Sequence, residues 1–435
     1  MAIALIDANS FYCSAELLFQ PWLRNKPIVV ASNNDGCVVS RNDSAKALGI
    51  KMGQPVFELR VLLARNEVKV FSSNYELYQS LSNRLMAILE ELTPGKLSIN
   101  SIDEAFADLS GVPDPEVWGR YVRNEIQRRL GLPVGIGIGS TKTQAKLANW
   151  AAKRWKAKTG CVVDLRDRIR LEKLLRYAPV GEVWGIGPRL NKRLADEFGI
   201  TTAWQLASAD PKLLRRRFSA TVERTARELQ GIACFPFADG SPERKQMILC
   251  SRSFGEKVFV LEQLERAVAT FTAHAAVNLR QQASLANCLQ VFARTSLFSP
   301  VDPFSGSRVI ALPYPTDDTR DLVQAAIGGL RAFYLSGPAY VKAGVVLSQF
   351  VERGVTTGDL FAPKPRSNSE PLMGVMDAIN AKHGRGTVRF GRENAEGSWA
   401  MRRELLSPEY TTSWQGLPRA RCGSGKVSLL GDLGI

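Results

Sequence analysis

The chain has 435 residues, 45% of them hydrophobic, and 57 Lys and Arg against 42 Asp and Glu leave a net charge of +15. Several domains of roughly 100–200 residues are expected, with enough apolar content for real cores. The charge favours a polyanionic partner, and no run approaches the ~18 apolar residues of a transmembrane helix, so nucleic acid leads over membrane.

The opening segment runs straight into a strand-like stretch containing Asp7, which does not read as a signal peptide. Seven scattered cysteines without a Cys-x-x-Cys fit reduced thiols in a cytoplasm. With two histidines, His274 and His383, neither a Ser-His-Asp triad nor a histidine metal site is expected. Catalysis would fall to carboxylates and metal.

In chain order, the apolar run up to Ile6 predicts a strand buried on both faces, ended by Asp7 and followed by a short helix with Phe11 and Tyr12 at the junction. Residues 27–30 read as a strand, 32–36 as a loop of turn formers, and 38–40 as a strand leading into a helix over 42–48 that Gly49 ends. A long amphipathic helix is predicted over 76–92, stopped by Thr93-Pro94-Gly95. Apolar residues on both sides of Asp103-Glu104 predict two strands flanking an acidic turn. A basic helix at 120–130, a strand at 134–139 with glycine on one face, a helix at 142–158 and a closing strand at 161–164 complete one mixed α/β domain over roughly 1–165. Residues 166–240 read as helical and basic. From about 246 the pattern is mixed again, with strands at 248–254, 289–292, 308–312 and 340–347 and helices at 261–280 and 321–335. Beyond Phe361 a linker composition leads into a glycine- and arginine-rich tail.

Asp7, Asp103 and Glu104 each stand where an apolar run stops. Acids at core strand ends can converge, and would repel unless a cation sat between them. Oxygen ligands and phosphates suit Mg²⁺, which points to two-metal phosphoryl transfer; the plainer reading is solvated turn acids. Ser40 and Lys46 could grip a triphosphate, or be an N-cap serine and a solvated lysine. Tyr12 could be a core aromatic, or a wall against which a ribose 2′-hydroxyl would clash. Residues 120–158 carry ten basic residues and one acid, with Lys142, Lys146 and Lys153 near one helix face suited to phosphates. The segment 183–194 resembles a helix-hairpin-helix: Gly185 and Gly187 permit a tight turn whose backbone N–H groups meet a DNA phosphate, and Arg189, Lys192 and Arg193 add charge.

Asp-x-Asn-x-Phe-Tyr at 7–12, Ser-Ile-Asp-Glu-Ala-Phe at 101–106 and Gly-Ile-Gly-x-x-Lys-x-x-Ala-Lys-Leu-Ala at 137–148 together resemble a Y-family, or lesion-bypass, DNA polymerase. The stretches at 32–38, 71–78, 183–187, 250–255 and 407–412 are similar to its UmuC branch, the catalytic subunit of bacterial DNA polymerase V and plasmid-borne relatives. The resemblance covers nearly the whole chain. It implies a multi-domain α/β right hand: palm at 1–20 and 72–165, fingers at 21–71, thumb at 166–240, little finger at 246–355, and a tail at 356–435 for partner binding. It also implies error-prone, template-directed synthesis past damage in the SOS response. Two Mg²⁺ ions would be held by Asp7, the Ala8 carbonyl, Asp103 and Glu104. Tyr12 would be the steric gate with Phe11 beside the sugar, and Ser40, Lys46 and Lys153 would hold the dNTP, with Lys158 competing for the last role. Asp43 stands where many members have a phosphate-touching tyrosine. Primer–template DNA, dNTPs, a UmuD′-like dimer and a RecA filament are the implied partners, in a bacterial, nucleoid-associated cytoplasmic setting. Sliding-clamp binding is left open: Leu360-Phe361 matches the branch's motif and Thr357-Gly358-Asp359 departs from it. Two other readings stay open, a palm-type nucleotidyltransferase or cyclase and a catalytically silent DNA-binding accessory protein.

Overall fold

The computed structural model describes residues 2–237, 244–296, 303–355, 363, 365–393, 400–414 and 417. They fall into two compact units, one from Met1–Ala31, Cys37–Gly240 and Leu405–Ile435, the other from Ser32–Gly36 and Ser241–Glu404.

In the first unit, β1 (Ile3–Ala8) and α1 (Phe11–Phe19) open the chain. Next come β2 (Ile28–Ala31), β3 (Val38–Arg41), α2 (Asp43–Ala47), α3 (Arg60–Arg65) and β4 (Lys69–Ser72), whose strands pair in the order β3-β2-β4. Then follow α4 (Tyr75–Leu92), β5 (Leu97–Ile99), β6 (Glu104–Asp108), α5 (Pro115–Leu130), β7 (Val134–Gly139), α6 (Lys142–Arg154), α7 (Lys156–Thr159) and β8 (Val162–Asp164). Their sheet runs β5-β6-β1-β7-β8, antiparallel except where β8 joins β7.

Alternation along β1 divides its side chains between two cores. Ala4 and Ile6 pack with Leu77, Leu85, Val122 and Ile126 from α4 and α5. Ile3 and Leu5 pack on the other side with Phe106 and Ala145, toward α6. The glycines of β7 let α6 lie close on that face: a Cβ on Gly137 would fall 2.1 Å from the Asn149 nitrogen and 2.2 Å from the Ala145 carbonyl oxygen. The Thr141 hydroxyl caps α6 at 3.2 Å from the Gln144 N–H, and the buried Glu228 carboxylate accepts from the Thr143 N–H at 2.9 Å. The helix expected over 142–158 breaks at Trp155, whose ring lodges against Trp150 and Tyr177 at 5.9 and 5.2 Å.

A helical layer follows: α8 (Arg168–Tyr177), α9 (Pro188–Phe198), α10 (Ala203–Ser208), α11 (Pro211–Arg217) and α12 (Ala220–Leu229). It closes over Leu174, Leu194, Leu206, Val222 and Leu229. Residues 405–412 return to this unit: the Ser72 N–H donates to the Leu405 carbonyl at 3.0 Å, and Tyr410 stacks on Phe19 at 4.3 Å.

The second unit contains β9 (Met247–Val258), α13 (Leu261–Gln281), β10 (Ser284–Thr295), β11 (Ser305–Thr316), α14 (Thr319–Arg331) and β12 (Tyr340–Glu352). The antiparallel sheet runs β11-β10-β12-β9, and its apolar face packs on α13 and α14. Its strands are longer than the apolar runs that announced them, because the ladder continues past the buried residues. A helix the sequence did not announce, α15 (Ser369–His383), lies where a tail was expected. Met373 is its one buried apolar residue, so it carries little periodicity, and the Asp377 carboxylate meets Arg280 at 2.6 and 2.8 Å. No helix among the described residues is long and apolar enough to cross a membrane.

Candidate active site

The register of β1 and β6 sets Asp7 directly opposite Glu104, two residues along each strand from the Leu5–Phe106 pair. Side chains two residues apart share a face, so both acids point to the side that α6 covers. Lys146 and Lys153 of α6 meet them: the Lys146 ammonium lies 2.9 and 3.1 Å from the two Glu104 oxygens, and Lys153 pairs with Asp7. Asn100 also donates to Glu104. Asp103 sits in the β5–β6 turn, accepting from the Ser101 hydroxyl at 2.5 Å, while its carbonyl accepts from the Ala8 N–H at 2.9 Å. Glu104 is therefore a strand residue and only Asp103 belongs to the turn.

Asp7, Ala8 and Asp103 open on a cleft of about 390 Å³ that Phe11, Tyr12, Ser40, Lys46 and Lys153 also line. Burial lifts the Asp7 carboxyl above the ordinary range; Lys153 opposes the rise, and the charges of Asp103 and Glu104 add to it. Three carboxylates whose charges meet at Asp7 supply oxygen ligands of the kind that suits hard divalent cations. Among the described residues no three such side chains gather closely enough to hold a metal ion, and lysines engage Asp7 and Glu104.

Ser40 is the third of the four residues of β3, and its hydroxyl accepts from the Cys13 N–H at 3.4 Å. Lys46 of α2 reaches the Ser10 hydroxyl at 3.2 Å and Asp43 at 2.8 Å. Asp43 bridges Lys46 and Lys156; burial would raise its carboxyl, but hydrogen bonds and charge from the two lysines hold it at about 2. Asp43 thus fixes a lysine beside the cleft. Lys153 is in the cleft, while Lys158 lines a separate hollow with Trp155 and Tyr177. Lys142, expected to face phosphates, is instead buried: it donates to the Pro236 carbonyl at 2.7 Å and sits over the Phe106 and Phe237 rings.

Phe11 is mostly core, 3% exposed. The Tyr12 ring lies flat on Tyr78, with centroids 4.3 Å apart and planes 13° from parallel, and Tyr75 meets it edge-on at 6.4 Å. The sequence reading gave neither ring a role: Tyr78 fell in the helix expected over 76–92, Tyr75 just before it, and both within the family-like stretch 71–78.

In the helical layer, Gly185 has φ +88°, a left-handed turn that favours glycine, and Gly187 is the N-cap of α9. Arg189 and Lys192 are exposed on that helix. Arg193 is already engaged, 2.8 Å from Glu197 and over the Phe218 ring at 4.8 Å. The clamp-like segment around Leu360-Phe361 lies outside the described residues.

A five-stranded mixed sheet bearing strand-end acids, a helical layer and a four-stranded α/β unit are the elements of the Y-family DNA polymerase fold. The solved structure of a Dbh–Dpo4 Y-family polymerase chimera shares it, with a TM-score of 0.64 at 20% identity over 81% of this chain and all of that one. The profile of the impB/mucB/samB family matches residues 6–150, that of its C-terminal domain 245–360, and that of a domain of unknown function, DUF4113, residues 370–420. Protein UmuC of Salmonella typhimurium is 44% identical over 96% of this chain and 100% of its own length. DNA polymerase IV of Bacillus velezensis is 28% identical over 89% of this chain and 91% of its own. The chain belongs to the impB/mucB/samB family.

Proposed function

We propose that the cleft between Asp7, Asp103, Ser40 and Lys46 joins an incoming dNTP to a primer 3′-hydroxyl. The chain is an error-prone translesion DNA polymerase of DNA damage tolerance and SOS mutagenesis, a DNA-directed nucleotidyltransferase. One observation carries the assignment of the cleft: Asp7 faces Glu104 across β1 and β6 while Asp103 is tied to Ala8 beside them, and Asp7 and Asp103 line the same cleft as Ser40 and Lys46.

Asp7, the Ala8 carbonyl, Asp103 and Glu104 would hold two Mg²⁺ ions. Bound there, the ions supply charge neutralisation for the triphosphate and a more acidic primer hydroxyl. Ser40 and Lys46 orient the β- and γ-phosphates, and Lys153, released from Asp7, gives a further cation to the triphosphate. The 3′-oxygen attacks the α-phosphorus in line and pyrophosphate leaves. Tyr12 closes the space a ribose 2′-hydroxyl would need, with Phe11 beneath the sugar.

Low fidelity follows from small fingers at 21–71, which cannot close tightly on a nascent pair. The remaining hand assigns palm to 1–20 and 72–165, thumb to 166–240, little finger to 246–355 and a partner-binding tail to 356–435. In the thumb, Gly185, Gly187, Arg189 and Lys192 hold a DNA phosphate, with Arg193 bracing α9. A UmuD′-like dimer and a RecA filament are proposed as partners in a nucleoid-associated, cytoplasmic complex.

The test is Mg²⁺-dependent primer extension across an abasic template by the full chain, alone and with UmuD′-like and RecA partners. Extension past the lesion is expected; inertness of every combination on damaged and undamaged templates would overturn the reading.

A further inference from the structure

The Tyr12 ring is backed by Tyr78, and Tyr78 does not stand alone. Its hydroxyl donates to the Glu16 carboxylate at 2.7 Å, and the same Glu16 oxygen accepts from the Ser407 hydroxyl at 3.0 Å. Glu16, Tyr78 and Asn74 are fully buried, and Ser407 is 5% exposed. Asn74 caps α4 with its side-chain oxygen, 3.3 Å from the Leu77 N–H, and turns its amide to Ser407, 2.9 Å from the hydroxyl and 3.1 Å from the carbonyl. The flanks of this contact are fixed as well. The Leu405 N–H donates to the Ser72 hydroxyl at 2.9 Å, Thr411 to the Ser80 hydroxyl at 3.0 Å, and Gln20 to the Tyr410 hydroxyl at 3.3 Å.

A buried carboxylate costs free energy unless donors satisfy it. Here both donors reach one oxygen, one from the tail and the other from the ring behind Tyr12, while the second oxygen is buried with no hydrogen-bond partner among the described residues. Losing the tail contact leaves Glu16 with a single donor, so the pull on Tyr78 and the height of the ring stack change together.

We propose that residues 405–412 are a strap that sets the steric gate: through the shared Glu16 carboxylate, Ser407 and Tyr78 are positioning residues for sugar selection by Tyr12. The strap rests on the polymerase reading, and gives the tail a role inside the nucleotide site that partner binding does not include. Its flat stack fixes how far the Tyr12 ring can recede. A ring free to tilt by a fraction of its thickness admits a 2′-hydroxyl without harming dNTP insertion.

The experiment compares kcat/KM for ribo- and deoxyribonucleotides with the full chain and its partners, for wild type, Tyr78→Phe, Ser407→Ala, Tyr12→Ala and the doubles with Tyr12→Ala. Tyr78→Phe and Ser407→Ala each remove one hydroxyl and little volume. Each is expected to raise the ribo/deoxyribo ratio roughly three- to tenfold, mainly through a lower ribonucleotide KM, with dNTP insertion within about twofold of wild type. Neither should add to Tyr12→Ala, because the gate they position is gone. A merely structural role would lower the melting temperature and leave the ratio alone. Unchanged ratios in both single variants, or full additivity with Tyr12→Ala, would overturn the strap. Wild-type dNTP extension reads the polymerase assignment separately, so the two failures look different.

Discussion

Asp7 and Glu104 are opposed residues of neighbouring antiparallel strands, and each is met by a lysine of the same helix, Lys153 and Lys146. The two lysines are seven residues apart, two turns of helix, which places them on one face. Strand alternation sends both acids to that face. The glycine row of β7 lets the helix come near enough for the ammonium groups to reach them.

Asp103→Ala should remove primer extension by on the order of a thousandfold or more, since several kcal/mol of charge stabilisation are lost at tenfold per 1.36 kcal/mol. Salt-sensitive DNA binding should persist. Single-turnover extension and a binding titration on the same primer–template check this, and retained synthesis would contradict the metal assignment.

Gly137→Ala should destabilise the first unit by roughly 1–3 kcal/mol or more, because the added carbon meets backbone atoms of α6 that cannot swing away. The neighbouring case in the second unit has the opposite sign. Gly328 lies inside α14 with nothing within 4 Å of an added Cβ, so Gly328→Ala should gain about 0.5–1 kcal/mol. Thermal unfolding of the two variants reads both signs.

Arg189→Ala and Lys192→Ala should each reduce the slope of log K against log salt by about one, equally for unrelated DNA sequences. Arg193→Ala should change the slope less, since its guanidinium is held by Glu197. Fluorescence anisotropy on two unrelated duplexes at several salt concentrations would show a base-specific loss if the hairpin read sequence.

Burial lifts the Glu16 carboxyl to about 6 from an ordinary 4.5, against hydrogen bonds from Tyr78 and Ser407 that lower it. An acid whose folded value is raised stabilises the fold while protonated. Its contribution is fully present below 4.5 and is lost as pH rises through about 6. Cys13, Tyr78 and Tyr410 around it are all pushed upward and stay neutral in that window. Relative to Glu16→Gln, wild type should therefore lose about 2 kcal/mol between pH 4.5 and 7.5. Urea unfolding of both chains across that range gives the difference, and a pH-independent gap would refute the assignment of the titrating group.

Much of the site was legible because its signals are local. Asp7 ends an apolar run, Asp103-Glu104 interrupts another, and Gly-x-Gly-x-Gly announces a close backbone approach; each is a property of a few consecutive residues. What the sequence concealed was pairing at a distance. Nothing near Lys142, Lys146 or Lys153 tells that the first is buried under two phenylalanines while the other two meet carboxylates. The helix α15 escaped notice because a surface helix held by ion pairs at Asp377 and Glu370 and by one buried methionine has almost no apolar period.

By itself the sequence determined the family, the alternation of strands and helices, and which acids end the core strands, since apolar periodicity and motif spacing are written along the chain. Tertiary structure alone decided that Asp7 faces Glu104, that Asp43 ties down Lys46, and that Ser407 and Tyr78 share Glu16 across 391 and 62 residues of sequence. Register and burial are collective: they depend on which surfaces lose water together, and no local stretch of residues encodes that choice.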